Sequence, residues 1–311
     1  MDLDLVVLGD ANPDLVMRGD DVTPAFGQAE RLVDDARLTV GGSGAIMACG
    51  AARLGLRVAF VGVVGDDLFG AYMREQLVAR GVHVSGLAVD PQRPTGVTVV
   101  LSRPDDRAIL TAPGTIGDLR AASIDADLLA SARHVHVSSY FLQTGLAQDL
   151  PRLFADARGR GATTSVDPNW DPSGAWNGGL DALLPSVDVL LPNEIEAARL
   201  AHTSDLEAAI ATLRSRGPLV VVKAGARGAI AAGPGERVEV AAVPVATVDT
   251  TGAGDSFDAG FVAAMLGGEP LERCLAVANA CGALSTRAAG GVDGQPTMQE
   301  ALGAISAGSP A

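Results

Sequence analysis

The stretch that most restricts the fold of this 311-residue chain is DTTGAGDSFDAGFVAAML, at residues 249–266. Gly252, Ala253 and Gly254 leave backbone N–H groups uncovered, and the apolar residues after them repeat at helical spacing. Unpaired N–H groups at a helix start lie at the positive end of its dipole, so such a turn binds anions, most often phosphate. Asp255 at this point has two explanations, helix capping or a role as the base that deprotonates an attacking hydroxyl.

Composition excludes several classes of function. A formal net charge of −14 argues against nucleic acid or an anionic membrane surface as a partner. Lys223 is the only lysine, so the chain has no GxxxxGK[ST] phosphate-binding loop. Cys49, Cys274 and Cys281 lie far apart in apolar segments, which indicates buried, reduced thiols in a cytoplasmic protein. The N-terminus lacks the pattern of a signal peptide and no stretch has the pattern of a membrane span, so no membrane association is expected.

Strand and helix patterns alternate along the chain. Apolar runs with the length of buried strands occur at residues 3–9, 58–64, 134–137, 163–167, 187–191 and 219–223. Their alternation with helical segments predicts an α/β fold, with a doubly wound, mostly parallel sheet and helices on both faces. Residues 15–40, and the β-rich runs on either side of a turn at 104–106, are predicted to be peripheral strands and loops.

Two segments resemble signatures of a single family. The segment DTTGAGDSF is similar to the C-terminal signature of the ribokinase-like (PfkB) carbohydrate kinases, and residues 41–70, which begin GGSGA, are similar to their N-terminal signature. The resemblance covers nearly the whole chain. It implies one ribokinase-like domain over residues 1–311, with a small β lid formed by about 15–40 and 95–112. A lid suits phosphoryl transfer because it keeps water from competing with the sugar hydroxyl.

The resemblance also implies an ATP-dependent kinase and assigns roles to individual residues. The last Asp of the signature is the catalytic base in this family, and here it is Asp255. The backbone amides of Gly252, Ala253 and Gly254 would stabilise the phosphoryl group during transfer. The residues that would bind the sugar are Asn12, Asp14, Gly42, Ser43, Asn169 and Asp255.

The same resemblance implies ATP and Mg²⁺ as cofactors. The residues that would bind ATP are Asn193, Lys223, Gly225, Gly228, Gly254 and Asn279. Glu196, in the family's Asn-x-x-Glu motif, would bind Mg²⁺ through water, since this ion prefers oxygen ligands and keeps several waters. Members of the family often bind a monovalent cation such as K⁺ beside the anion-binding turn, and Asp249 and Thr251 are compatible with one.

Two departures from the family pattern concern the substrate. Ser43 and Ile46 replace the Lys and Asn with which ribokinases bind ribose, so a substrate other than ribose is expected. Asp171 replaces an Arg that holds an anionic substrate in some relatives. With Asp10 nearby and no Lys or Arg among the pocket candidates, we expect a neutral sugar or polyol, unless Arg107 on the lid reaches the site.

Other interpretations of the sequence stay open. A nucleoside kinase would share both signatures, with Tyr140, Phe141 and Trp170 stacking a base, and a nucleotide-binding regulator without activity would share the fold. A homodimer through the lid would cover exposed lid strands. His134 and His136 lie on one face of a strand, and structural roles are expected because no third metal ligand is evident.

Overall fold

The computed structural model of the protein describes residues 2–103 and 106–308. The strands are β1 Leu3–Leu8, β2 Asn12–Arg18, β3 Asp35–Gly41, β4 Val58–Gly65, β5 His83–Asp90, β6 Val97–Arg103, β7 Asp106–Ala112, β8 Ala132–Val137, β9 Thr163–Val166, β10 Val189–Leu190, β11 Leu219–Lys223, β12 Ala229–Gly233 and β13 Glu236–Val240. The helices are α1 Ser43–Arg53, α2 Leu68–Ala79, α3 Ala126–Ala130, α4 Leu150–Gly159, α5 Leu180–Leu183, α6 Glu194–Leu200, α7 Leu206–Arg214, α8 Ala253–Leu266, α9 Leu271–Ser285 and α10 Met298–Gly308. Pro104 and Asp105, in the predicted turn, lie outside the described residues.

The main sheet is mostly parallel, as predicted. Within the described residues it has nine strands, in the order β13-β12-β11-β10-β9-β8-β1-β4-β5. The strands from β11 to β5 in this order pair in parallel, and β12 and β13 extend the sheet with antiparallel pairings. The carboxyl ends of the parallel strands therefore meet at one edge of the sheet, where open α/β sheets bind their ligands.

Strand β1 shows why both faces of the sheet are covered. All of its residues are buried, and successive side chains point to opposite faces. Leu5 and Val7 pack in a core that includes α1, α8 and α9, whereas Val6 and Leu8 pack in a second core that includes α4 and α7. A strand buried on both sides favours a nearly continuous apolar run, and the sequence LDLVVL contains one that is interrupted only by Asp4.

The predicted lid is a separate sheet. In the described part of the chain it has four strands, in the order β3-β2-β6-β7. Its first strand begins earlier than expected, so Asn12 and Asp14 lie on β2 and not in a turn. Residues two apart on a strand point to the same side. Asn12 and Asp14 therefore point together toward the ligand-binding edge of the main sheet.

Three strands escaped the sequence analysis: β5, β12 and β13. The sequence of β12 is AIAAG, and its small residues have little strand propensity, so pairing with β11 and β13 determines its conformation. All three cysteines are free and buried, as predicted. Among the described residues, none of the helices has both the length and the apolar character needed to cross a bilayer.

Candidate active site

A cavity of about 890 Å³, here called the lid cavity, lies between the lid sheet and the carboxyl ends of the parallel strands. A second cavity of about 530 Å³, here called the adjacent cavity, borders it. The residues that line both are Lys223, Gly225, Thr250, Ala253 and Gly254. The turn before α8 therefore stands where the two cavities meet.

This turn has the backbone geometry of an anion site. Gly252 has a φ of 71°, and a Cβ there would come within 2.8 Å of Gly291, so glycine is required. Helix α8 begins at Ala253, and the N–H groups of Gly254 and Asp255 have no acceptor among the described residues. Because these groups lie at the positive end of a 14-residue helix, they can bind a phosphoryl group.

Asp255 is buried at the same point and is 8% exposed. Burial raises the pKa of Asp255 well above its usual value, and the charge of Asp167 raises it further. Lys223 and a hydrogen bond with Ser43 lower this pKa, while Asp10 raises it. A carboxyl group with a raised pKa is matched to proton abstraction nearer neutral pH than an ordinary aspartate.

A charged cluster that was not predicted from the sequence lies next to the turn, at Lys223, Asp167 and Asp258. Lys223 Nζ lies 2.9 Å from Asp167 Oδ2 and 3.2 Å from each carboxylate oxygen of Asp258. Burial lowers the pKa of Lys223, but Asp167 and Asp258 raise it overall, so the lysine is charged. Lys223 was predicted as a phosphate ligand, and in the structure its charge is already balanced by these two carboxylates.

Two residues of β2 that line the lid cavity, Asn12 and Asp14, carry acceptors that have no donor among the described residues. Asn12 donates from Nδ2 to Thr98 Oγ1 at 3.1 Å, but its buried Oδ1 has no partner among the described residues. Burial raises the pKa of Asp14 to about 7, aided by Asp10 and opposed by Arg107, and no hydrogen bond to this carboxylate contributes. A buried acceptor left without a donor costs about 1–3 kcal/mol. This end of the cavity is therefore suited to hydroxyl donors.

Ser43 and Asn169 meet at the floor of the lid cavity. Asn169 Nδ2 donates to Ser43 Oγ at 2.6 Å and lies 3.3 Å from Ser139 Oγ. Gly42, just before α1, has a φ of 78°, and a Cβ there would come within 2.7 Å of the Asp10 carbonyl oxygen. The glycine loop can therefore lie directly against the end of β1, which brings Ser43 to the cavity.

Asn193 and Glu196 lock each other in a capping box at the start of α6. The Asn193 backbone N–H and Nδ2 donate to Glu196 Oε2 and Oε1 at 2.8 and 2.7 Å, and the Glu196 N–H donates to Asn193 Oδ1 at 2.9 Å. Both residues also line the lid cavity, so their role in capping the helix is compatible with ligand binding. Burial and the charge of Asp167 raise the pKa of Glu196 to about 7. A cation bound nearby would stabilise the ionised carboxylate.

The adjacent cavity contains the other predicted nucleotide-binding residues. Its apolar lining includes Val243, Pro244, Val245, Phe257 and Ala283. Gly225 and Gly228 have φ values of 57° and 104°, and a Cβ on Gly228 would overlap the Val240 carbonyl. Asn279 donates from Nδ2 to the carbonyl oxygens of Val240 at 2.9 Å and Ala241 at 3.2 Å, which leaves its Oδ1 for a ligand. A largely apolar cavity with an amide in its lining suits a flat heterocycle.

Comparison with known proteins decides the family. A model of the pfkB family of carbohydrate kinases matches residues 2–298. The chain belongs to the pfkB family of carbohydrate kinases. A fructokinase of Salmonella typhimurium is 34% identical to this kinase over 275 residues, which cover 84% of this chain and 90% of the relative.

Solved structures match the fold of this kinase along its length. Arabidopsis thaliana ribokinase, solved with ribose and ATP, has a TM-score of 0.84 and 27% identity and covers 98% of this chain and 99% of its own. An E. coli structure assigned to ribokinase II, with ATP and Mg²⁺ bound, has a TM-score of 0.86 at the same identity and coverage. The predicted fold and family are confirmed, and the chain is an ATP-dependent sugar kinase.

Asp171 does not line the lid cavity of this kinase, so the expectation about its charge was wrong. Its Oδ1 accepts from the Ser173 N–H at 2.8 Å, and its Oδ2 accepts from the Trp176 N–H at 2.6 Å. The carboxylate is buried and closes the turn that follows β9. Asp171→Arg would therefore break this turn and would not create a site for an anionic substrate.

Arg107 does line the lid cavity, so the site is not free of cationic groups. Its guanidinium donates to Thr251 Oγ1 at 3.2 Å, and its charge lowers the pKa of Asp14. Arg107 lines the same cavity as the carboxyl groups of Asp10, Asp14 and Asp255. The acidic groups outnumber the one arginine there.

Of the three aromatic residues predicted to stack a base, only Trp170 lines the lid cavity, where it is 56% exposed. Tyr140 is buried, and its hydroxyl donates to the Gly178 carbonyl at 2.9 Å. Phe141 packs between Tyr140 and Trp176, with ring centroids 5.3 and 5.7 Å apart. Trp176 supports Trp170 at 5.1 Å, so the exposed indole is held in place from behind.

His134 and His136 have the structural roles expected of them. Both are buried on β8, and their ring nitrogens share hydrogen bonds of 2.7–2.9 Å with the hydroxyls of Thr163, Ser165 and Ser138. Burial lowers the pKa of His134 to about 3 and that of His136 to about 4. Both imidazoles are therefore neutral near pH 7.

Proposed function

We propose that this kinase transfers the γ-phosphoryl group of ATP to a hydroxyl of a neutral sugar or sugar-like polyol. The observation that carries the proposal is the pair of acceptors, Asn12 Oδ1 and the Asp14 carboxylate, that face the lid cavity without donors. Sugar hydroxyls supply such donors. A phosphate or carboxylate on the substrate would instead meet further acceptors and the like charge of Asp10.

Asp255 acts as the general base in this proposal. Its carboxylate takes the proton from the substrate hydroxyl as that oxygen bonds to the γ-phosphorus and the bond to the β–γ bridging oxygen breaks. The N–H groups of Gly254 and Asp255 would bind the phosphoryl oxygens, where negative charge is greatest during transfer, whereas the N–H of Ala253 already donates to the Thr250 carbonyl at 3.3 Å. The meeting of the two cavities at this turn supports the assignment, since acceptor and donor can approach from opposite sides.

The adjacent cavity is the proposed site of ATP. Its apolar side chains would hold the adenine beside Asn279, with the phosphates running past Gly228 and Gly225 toward Asn193 and the turn. Among the described residues no group of three or more His, Cys, Asp or Glu could hold a metal directly. This fits Mg²⁺, which when bound neutralises phosphate charge and which Glu196 would hold through water.

A nucleoside kinase is the second candidate. The observation that favours it is Trp170, a half-exposed indole at the wall of the lid cavity, because an exposed aromatic face can stack a base. Ile109 lines the same cavity and is 55% exposed, which adds apolar surface that a free sugar would not need. The rival of another class, a regulator without activity, is opposed by the intact Asp255 and its glycine turn.

An acceptor panel at saturating ATP tests the proposal. It contains neutral hexoses and polyols, ribose, nucleosides, fructose phosphates and 2-keto-3-deoxygluconate. We expect kcat/KM for the best neutral sugar to exceed that for the anionic compounds by about tenfold or more, because an anion finds acceptors where it needs donors. A preference for a phosphosugar or sugar acid would refute the proposal. A preference for nucleosides would establish the second candidate, and the absence of all turnover would favour the regulator.

Asp14→Asn provides the matched test of the substrate contact. The variant keeps the size of the side chain but loses the charged acceptor, so KM for the sugar should rise about 10- to 100-fold while KM for ATP stays unchanged. Asp35→Asn is the control, since Asp35 lies on the neighbouring lid strand and pairs with Arg37 away from the cavity. Equal sugar KM values for the two variants would remove Asp14 from the site.

The kinase is also proposed to form a homodimer through the lid and to act in the cytoplasm, without nucleic acid as a partner. Every residue of β7 is exposed, and Phe26, Leu32 and Leu110 add exposed apolar side chains in and around the lid strands. A second lid would cover this edge strand and its apolar groups. The mass in solution measures the assembly, and a monomer at all concentrations would contradict it.

A further inference from the structure

The carboxylate of Asp249 already has four hydrogen-bond donors. Its Oδ1 accepts from the N–H and Oγ1 of Thr251 at 3.0 and 2.8 Å. Its Oδ2 accepts from the Gly290 N–H at 2.9 Å and from the Arg18 guanidinium at 2.7 Å. Each carboxylate oxygen has two acceptor sites, so these bonds use all four. A monovalent cation coordinated by Asp249 and Thr251 does not fit this arrangement.

The positive charge at Asp249 comes from within the chain. Arg18 is the last residue of β2, and its side chain is 26% exposed, while that of Asp249 is 9% exposed. Burial would raise the pKa of Asp249, but hydrogen bonds from Gly290 and Thr251, together with the charge of Arg18, hold it below its usual value. A charge-assisted bond in a partly buried place is stronger than one at the surface.

The lid holds the same loop at a second point. Arg107 on β7 donates to Thr251 Oγ1 at 3.2 Å, and Thr251 directly precedes Gly252. Two lid strands therefore contact Asp249 and Thr251, two of the three residues that lead into the anion-binding turn. Only Gly252 and Ala253 separate Thr251 from the N–H groups of Gly254 and Asp255, so a displacement of residues 249–251 would move these groups as well.

We propose that Arg18 supplies, from the lid, the positive charge that a monovalent cation would supply at Asp249, and that it positions the anion-binding turn without K⁺. The inference rests on the proposed phosphoryl transfer at this turn. Arg18 lines neither the lid cavity nor the adjacent cavity, so it is a positioning residue. Gly290 and Thr286 also hold the loop, but the contacts of Arg18 and Arg107 form only while the lid lies against it. The lid therefore couples the exclusion of water to the assembly of the anion site.

The first test compares cations on the wild-type kinase at equal ionic strength. We expect kcat and KM for ATP to agree within about twofold in K⁺, Na⁺ and tetramethylammonium buffers, and Tm to agree within about one degree. Electrostatic screening is the same in all three buffers at equal ionic strength. Stimulation by K⁺ of tenfold or more over tetramethylammonium would refute the proposal.

The second test uses Arg18→Gln, Arg18→Lys and, as a matched control, Arg37→Gln on the neighbouring lid strand, where Arg37 pairs with exposed Asp35. Arg18→Gln should raise KM for ATP about 10- to 100-fold, as expected when one charge-assisted hydrogen bond is lost, and added guanidinium or K⁺ should restore part of it. Arg18→Lys should retain most of the affinity, and Arg37→Gln should match the wild type.

A readout that needs no acceptor separates this inference from the proposed function. The rise in Tm caused by a non-hydrolysable ATP analogue should shrink in Arg18→Gln and recover with guanidinium, even if no tested acceptor is phosphorylated. If the rise in Tm is the same in Arg18→Gln and Arg37→Gln, Arg18 does not position the turn. If the rise depends on Arg18 but the wild type phosphorylates no acceptor, the proposed function fails and the positioning role stands.

Discussion

Replacing Asp255 with Asn is expected to lower kcat by about 10²- to 10⁴-fold, the range for loss of a positioned general base. The amide has the same shape but cannot take a proton from the substrate hydroxyl. ATP binding should stay within a few-fold, because the charge removed would repel phosphate if it had any effect. Initial rates with the best acceptor, together with the affinity for an ATP analogue, measure the two effects separately.

The pH profile adds a signature that a purely structural role would not produce. Catalysis requires the ionised form of Asp255, and burial, with Asp167, raises its pKa well above the usual value. The value of kcat/KM should therefore increase as the pH rises through this raised pKa, and it should decrease at lower pH. Asp14 and Glu196, with pKa values of about 7, contribute to the same acid limb. In Asp255→Asn, the part of the acid limb that comes from Asp255 should be absent, and the parts that come from Asp14 and Glu196 should remain.

Asp156→Asn is the matched control for this variant. Asp156 is exposed on α4 and lies 3.7 Å from Arg152, one helical turn away, so the same substitution there should leave kcat unchanged. Retention of wild-type kcat by Asp255→Asn would show that another group takes the proton. A loss of Tm in Asp255→Asn, with no change in the control, would point to a defect in folding.

The parts of the site that could be predicted from the sequence are those set by local backbone chemistry. The turn at Gly252 and the loop at Gly42 need glycine because their φ values are positive and their neighbours leave no room for a Cβ. Asn193 and Glu196, three residues apart, form a capping box that is visible as a spacing. Such features depend on a few consecutive residues, and all four of these residues line the lid cavity.

The parts that could not be predicted depend on where distant side chains point. Asp167 directly follows β9, Lys223 ends β11 and Asp258 lies on α8. Only the packing of the sheet and helix brings these three charged groups together. The direction of a side chain at a strand end depends on the turn that follows. For this reason the resemblance to the family predicted Asp171 in the cavity, whereas its carboxylate accepts a hydrogen bond from the Trp176 N–H.

The same limit applies to the lid. Its strands were predicted from β-rich runs, but the partners of its arginines could not be, because Arg18 meets Asp249 across 231 positions of sequence. Arg107 was expected to alter the charge of the cavity if its side chain reached the site. The structure shows that Arg107 does line the lid cavity. The preference for a neutral substrate therefore now depends on the acceptors of Asn12 and Asp14, and no longer on the missing arginine at position 171.

Gly254→Val is expected to lower kcat/KM for ATP by about 10²- to 10³-fold or more, at least as much as removal of one oxyanion-hole donor. Gly254 lines both cavities, and a Cβ there would stand 3.7 Å from Lys223 Nζ, an ordinary contact distance. The backbone is helical at this position, and valine is no worse a helix former than glycine. The kinase should therefore fold, but the branched side chain would fill the place where the phosphoryl group passes between the cavities.

Gly303→Val is the matched control, because Gly303 lies on α10 with nothing within 4 Å of a Cβ. Both variants should keep the circular dichroism spectrum and Tm of the wild type, and only Gly254→Val should lose turnover and the stabilisation by an ATP analogue. Gly254→Ala should fall between them, since its single methyl group narrows the passage without closing it. If Gly254→Val transferred phosphate at the wild-type rate, the phosphoryl group could not pass along this turn, and the N–H groups at the start of α8 would not be its binding site.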